Sequence, residues 1–110
     1  MKATDTFRHP AYRHNCAQAL AFKYHADLGL SPEQALEKFA DLAAGRAPGG
    51  LCGALFAAQQ ILPSKADEVT KAFADKTDGY LTCKALKGEG RVPCPLCVDL
   101  ADSVVERLKE

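Results

Sequence analysis

Five cysteines, Cys16, Cys52, Cys83, Cys94 and Cys97, are the residues of this 110-residue chain best suited to chemistry. They fall in four separate segments. Scattered thiols in a chain without an export signal seldom serve as disulfide staples. They are more often metal ligands or redox groups. The fold would then have to gather thiols from distant segments into one site. Cys94-Pro95-Leu96-Cys97 is a CxxC unit at the start of a helix. Such a pair can cycle between dithiol and disulfide, or supply two ligands to a metal or an iron–sulfur cluster. A zinc site usually shows a second paired unit, and this chain has neither another CxxC nor an HxxxH. No His follows Cys97, which excludes covalent c-type haem.

Cys52 follows Gly49-Gly50 and opens an apolar helix. Free N–H groups and the positive dipole end favour a thiolate there. Cys16 lies on an apolar stripe, where a buried small hydrophobe is the plain reading. Cys83 sits between Gly79 and Leu86 and says little alone. His9, His14 and His25 are all near the N-terminus. His14 is two residues from Cys16 and within reach of the same site, but the simpler reading is a solvent-facing ring. No paired carboxylates stand out. Gly49-Gly50 lacks the Lys-Ser/Thr continuation of a phosphate-cradling loop.

The elements that must position these thiols read as helices. From about Ala11 to Leu28, Cys16, Leu20, Tyr24 and Leu28 recur every four residues, and Gly29 reads as the cap. Ser31-Pro32-Glu33-Gln34 supplies an N-cap, a first-turn proline and a capping-box Gln. A second helix follows to about Ala44, with Ala35, Leu36, Phe39, Ala40 and Ala43 inward and Gly45 as its stop. Residues 46–50 are the loosest stretch.

The third helix, from about Leu51 to Pro63, carries no charge. A helix apolar nearly all round belongs in the centre of a fold. It should bury Leu55, Phe56 and Ile61. Gly53 costs it about 1 kcal/mol relative to Ala, which implies close packing against its backbone. A fourth helix spans about Ser64–Asp78, stopped by Gly79. A short turn of helix over Leu81–Lys87 carries Cys83. The last helix starts near Pro95 and buries Cys97, Leu100, Ala101, Val104, Val105 and Leu108. The expectation is one all-α domain over residues 1–110, a bundle of five or six helices around the third. Its stripes turn Cys16 and Cys97 inward, so at least three sulfurs should gather beside the start of the central helix.

Composition narrows the function classes. Lys+Arg and Asp+Glu are 14 each, so the net charge is zero. Nucleic-acid binding wants a clustered basic excess, which is missing. The N-terminus has no apolar signal region, and no stretch approaches the roughly 20 apolar residues of a membrane span. A soluble cytoplasmic protein is expected, with its thiols reduced.

The cysteine contexts together resemble a known family. Asn15-Cys16-Ala17-Gln18-Ala19 looks like its first motif, NCAQA. Cys52-Gly53-Ala54 after a glycine-rich loop is similar to its second, a CGA element. Gly79-x-x-x-Cys83-x-x-Leu86 resembles its third, and the last cysteines, ahead of an acidic-aliphatic helix, its fourth. This is the redox-active family named for its pattern C_GCAxxG_C_C. The resemblance covers about residues 12–108. The chain departs from it at Ala57, where the family tends to have glycine. It also has one cysteine more than the pattern at the end, so Cys94 and Cys97 both stand as the family residue.

The resemblance implies a helical domain whose four cysteines converge on a redox or metal centre. A related domain in split-Soret cytochromes points to an iron–sulfur group. The leading expectation is therefore a small electron-transfer protein with an iron–sulfur centre held by Cys16, Cys52, Cys83 and one of Cys94 and Cys97, served by a redox partner protein. A second is thiol–disulfide exchange by Cys94 and Cys97, with Cys52 as a third thiol. A third is structural: zinc or buried thiols holding a helical adaptor. The sequence leaves a homodimer open.

Overall fold

The computed structural model describes residues 3–8, 13–42, 46–90 and 92–109. Its helices are α1 (Cys16–Lys23), α2 (Pro32–Lys38), α3 (Gly53–Ile61), α4 (Ala66–Lys76), α5 (Cys83–Lys87) and α6 (Cys94–Leu108). Short 3-10 turns precede or join them at Ala3–Asp5, Pro48–Gly50 and Pro63–Lys65. Among the described residues there is no strand, only isolated bridges at Phe7–His14 and Leu51–Thr82. The architecture is all-α. No helix among the described residues is long and apolar enough to cross a membrane.

Local signals explain the helix ends. Asn15 and Gln18 form a capping box: the Asn15 side chain accepts from the Gln18 N–H at 2.7 Å, and the Gln18 side chain accepts from the Asn15 N–H at 3.0 Å. Ser31 and Gln34 repeat the device before Pro32. Both satisfy donors that the first helical turn would otherwise orphan. Gly29 and Gly79 take left-handed φ of 71° and 86° after α1 and α4, a conformation that costs glycine little.

The periodic reading runs long at several ends. The expected first helix begins only at Cys16, because Asn15 caps it. It ends at Lys23, and tighter turns carry the chain from Tyr24 to Gly29. The second ends at Lys38 with Phe39 as its C-cap. Ala43 and Gly45, expected in its tail, lie outside the described residues, as do Ala11 and His9.

α3 is central and packs against α1, α4 and α6. Ala54, Leu55, Ala57, Ala58 and Ile61 are buried on it. Phe56 is a correction: it is only half-buried. It shares a side of the helix with Gln59 and Gln60, and that side is the one left partly uncovered. Ala40, expected inward, is exposed, while Leu28, Leu36, Leu100 and Leu108 are half-buried. The core closes with Leu20, Phe39, Val69, Phe73, Leu86, Val98 and Val105.

Candidate thiol centre

Each cysteine owes its place to a helix start. Cys16 is the first residue of α1, directly after the Asn15 cap. Cys52 is the N-cap residue of α3. Cys83 opens α5, whose Thr82 hydroxyl accepts from the Ala85 N–H at 3.2 Å. Cys94 opens α6, and Cys97 lies one turn further on.

Two backbone pairings bring these starts together. Leu51 bridges Thr82 in antiparallel fashion, and the Cys52 N–H donates to the Leu81 carbonyl at 2.9 Å. This sets Cys83 beside Cys52. The chain after α5 then folds back: Gly90 N–H donates to Ala85 O at 2.8 Å and Val92 N–H to Leu86 O at 2.7 Å. The turn is tight at Gly90, where a Cβ would stand 2.9 Å from the Tyr80 ring and would have to displace it. Pro93 and Cys94 are thereby returned to the others.

All five cysteines line one cavity of about 20 Å³, with Gly53, Leu86, Lys87 and Val92 completing its wall. That volume admits about one water molecule. Cys16, Cys52 and Cys97 are buried, while Cys83 and Cys94 are half-buried on the outer side. Every sulfur is a free thiol.

The thiols differ electrostatically. Cys52 hydrogen-bonds Cys97. This contact lowers the Cys52 pKa to about 7, against the opposing effect of burial and with help from the Leu55 and Ala54 N–H groups of α3. The same hydrogen bond raises Cys97, and burial adds to it. Cys52 is thus the thiolate and Cys97 the S–H donor, because Cys52 holds the helix N–H groups. Val92 O, at 3.9 Å, is a second acceptor for the Cys97 thiol. Burial pushes Cys16 up to about 11, with the negative charge of Cys52 and Cys94 opposing its ionisation. Lys87 is raised by the charges of Cys94 and Cys83 and by a hydrogen bond to Cys94.

Lys87 belongs to no cysteine motif of the sequence, although its position four after Cys83 puts both on one helix face. Among the described residues, no three His, Cys, Asp or Glu side chains form a group that could hold a metal ion. The sulfurs share a wall without three of them meeting at a point. A single zinc ion, with Zn–S bonds of about 2.3 Å, needs thiolates about 3.8 Å apart.

His14 is a second correction. It is buried, not solvent-facing, with its ring 4.8 Å from that of Phe22. Burial lowers its pKa, and it is not part of the cavity wall. His25 is half-buried, its Nδ1 at 2.9 Å from the Leu30 carbonyl oxygen. Compared with family models, curated proteins and solved structures, the chain matches none.

Proposed function

We propose that this chain is a small cytoplasmic redox protein whose thiol centre holds an iron–sulfur cluster through Cys16, Cys52, Cys83 and Cys94. One observation carries the reading: five cysteines from four segments line one cavity. Four of them stand at the cap or first residue of a helix. Thiol–disulfide exchange needs two or three thiols and gives no reason for five. Helix starts supply N–H groups and positive potential to thiolates, and Cys52 already has its pKa lowered into the neutral range. Burial is the main cause that raises Cys16, and the charge of Cys52 and Cys94 adds to it; a cationic centre would relieve that added repulsion.

The donor set fits a cluster better than a lone ion. Thiolates suit iron–sulfur clusters and zinc alike, but a cluster spreads its ligands over several irons. Sulfurs that share a wall without converging match that demand. The cavity is smaller than a cluster, so its outer side must yield. Cys83 and Lys87 belong there, on a five-residue helix, with Cys94 at the start of α6 beyond the loop that follows it. When bound, the group supplies one-electron transfer. The protein's residues hold the ligands, exclude water with Leu86 and Val92, and set charge with Lys87. Cys97, held protonated, is the thiol outside the ligand set. The motif resemblance at Asn15–Ala19 and Cys52–Ala54 supports the same reading.

The test is iron and acid-labile sulfide content, with a visible spectrum, of anaerobically purified protein. Cys16→Ser, Cys52→Ser and Cys83→Ser should each abolish iron binding on reconstitution, and Cys97→Ser should be nearly silent. One observation favours thiol–disulfide exchange, although through Cys52 and Cys97 and not the expected Cys94–Cys97 pair: the thiolate of Cys52 hydrogen-bonds the Cys97 thiol, which is a pair ready for disulfide exchange. Protein that takes up no iron, and loses activity when Cys97 or its partner is replaced, would establish thiol–disulfide chemistry instead.

A further inference from the structure

We propose that the cationic groove beside Cys94 docks the acidic face of an electron-transfer partner protein. The redox reading above says what would be exchanged; the docking surface stands on separate observations. A groove of about 540 Å³ is lined by Arg8, Lys87, Val92, Pro93, Cys94 and Pro95. Lys87, Val92 and Cys94 also line the thiol cavity. The groove is therefore the outer face of the wall behind which the other sulfurs lie.

Among the described residues, both charged side chains that line the groove are cations. The chain's net charge is zero, so this is local concentration, not bulk excess. Arg8 is held in place: its guanidinium stacks over the Phe7 ring at 4.8 Å, and its N–H donates to His14 O at 2.9 Å. The floor is apolar, made by Val92, Pro93 and Pro95. Leu96, next in sequence, is 45% exposed, the only large hydrophobic so exposed among the described residues. An apolar centre edged by charge is the anatomy of a protein interface. Redox encounters are small and short-lived, so a patch of this size suffices. A macromolecule is favoured over a small substrate because the exposed Leu96 carries the apolar surface beyond the groove itself. Electrons must cross the wall from a group that the partner brings to Cys94.

The experiment is an amide NMR titration of the full chain with an acidic flavodoxin, and with a basic cytochrome c as the opposite-charge control. Shifts should concentrate at Arg8, Lys87 and Leu96 for flavodoxin only. Affinity should fall about tenfold between roughly 0.02 and 0.2 M salt. Arg8→Glu and Lys87→Glu should each weaken binding about fivefold, and Leu96→Ser should weaken it without changing the salt dependence. Shifts elsewhere, no shifts, or equal binding of cytochrome c would overturn the proposal. Shifts at Arg8 and Lys87 with hexacyanocobaltate(III) but not with flavodoxin would overturn it in favour of a small-anion site. The titration reads docking whatever the thiols hold. Docking without iron would sink the cluster reading alone, and iron without docking would sink this one alone.

Discussion

Two buried polar regions share the same two helices and treat their charges in opposite ways. α1 begins with Cys16 and ends with Lys23, followed by Tyr24. α6 carries Cys94 and Cys97 at its start and Asp102 and Glu106 further along. At the far end the buried charges are matched. Asp102 accepts from the Ala3 N–H and from Lys23 Nζ, each at 2.8 Å, and from the Tyr24 hydroxyl. Glu106 accepts from Tyr24 at 2.9 Å and pairs with Lys23 at 3.1 Å. Burial alone would lower Lys23, but its bonds to Asp102 and Glu106 win and raise it. At the thiol end the groups crowd instead: burial opposes ionisation of Cys16, and the charge on Cys52 and Cys94 adds to that opposition. A satisfied network locks geometry. Thiols drawn together with their pKa values pushed apart, Cys52 down and Cys16 and Cys97 up, are the pattern expected of a site under functional demand.

The largest effect expected is therefore in stability, and at the end without chemistry. Asp102 is 6% exposed in its side chain and Lys23 15%. Removing one partner of a buried pair costs about 3–5 kcal/mol. Asp102→Ala should lower the melting temperature by roughly 15–30 °C at this size, while thiol reactivity in the surviving folded protein stays as in the wild type. A loss below about 1 kcal/mol in denaturant melts would mean that the network is idle and the contrast between the two regions false.

Much of the scaffold is legible in the residues, and less of the site. Ser31-Pro32 and Gly79 announce their helix ends, and the chargeless run from Leu51 to Leu62 announces the central helix. The Asn15–Gln18 capping box is equally legible as N-x-x-Q, yet the stripe of Leu20, Tyr24 and Leu28 drew the first helix too long in both directions. Cys16 and Cys97 point inward by periodicity alone. The approach of Cys83 and Cys94 rests instead on the Leu51–Thr82 bridge and the Gly90 return, two short pairings without a local signature. Asp102 reads as one more solvated acid, because Lys23, 79 positions away, is what permits its burial.

Alkylation sharpens the comparison from the thiol side. In protein free of metal, labelling of Cys52 by iodoacetamide should rise through pH about 7, whereas Cys16 should keep rising toward pH about 11. Burial slows both reactions but leaves those midpoints. The linked stability follows in sign. Cys52 has a pKa below its ordinary value of 9.0. Its contribution is full above pH 9.0 and lost as pH falls through about 7. The stability difference between wild type and Cys52→Ser should thus grow from pH 7 to 9. A flat difference would mean that Cys52 is not the thiolate of the pair.

The smallest effect expected is at Phe56, on the partly uncovered side of the central helix. Phe73 of α4 is fully buried, whereas Phe56 of α3 is half-buried beside Gln59 and Gln60. Replacing a fully buried Phe with Ala costs about 3–5 kcal/mol, because a cavity adds to the lost transfer energy. That figure applies to Phe73→Ala. Phe56→Ala opens onto solvent, leaves little enclosed void, and should cost only about 1–2 kcal/mol. Neither change touches the cavity wall, so thiol reactivity should be unaltered in the folded protein. Equal losses at the two positions, measured by denaturant melts, would mean that the uncovered side of α3 is covered in solution, as a second copy packing over Phe56 would cover it. Sedimentation of the wild type would then show a dimer that dissociates in Phe56→Ala.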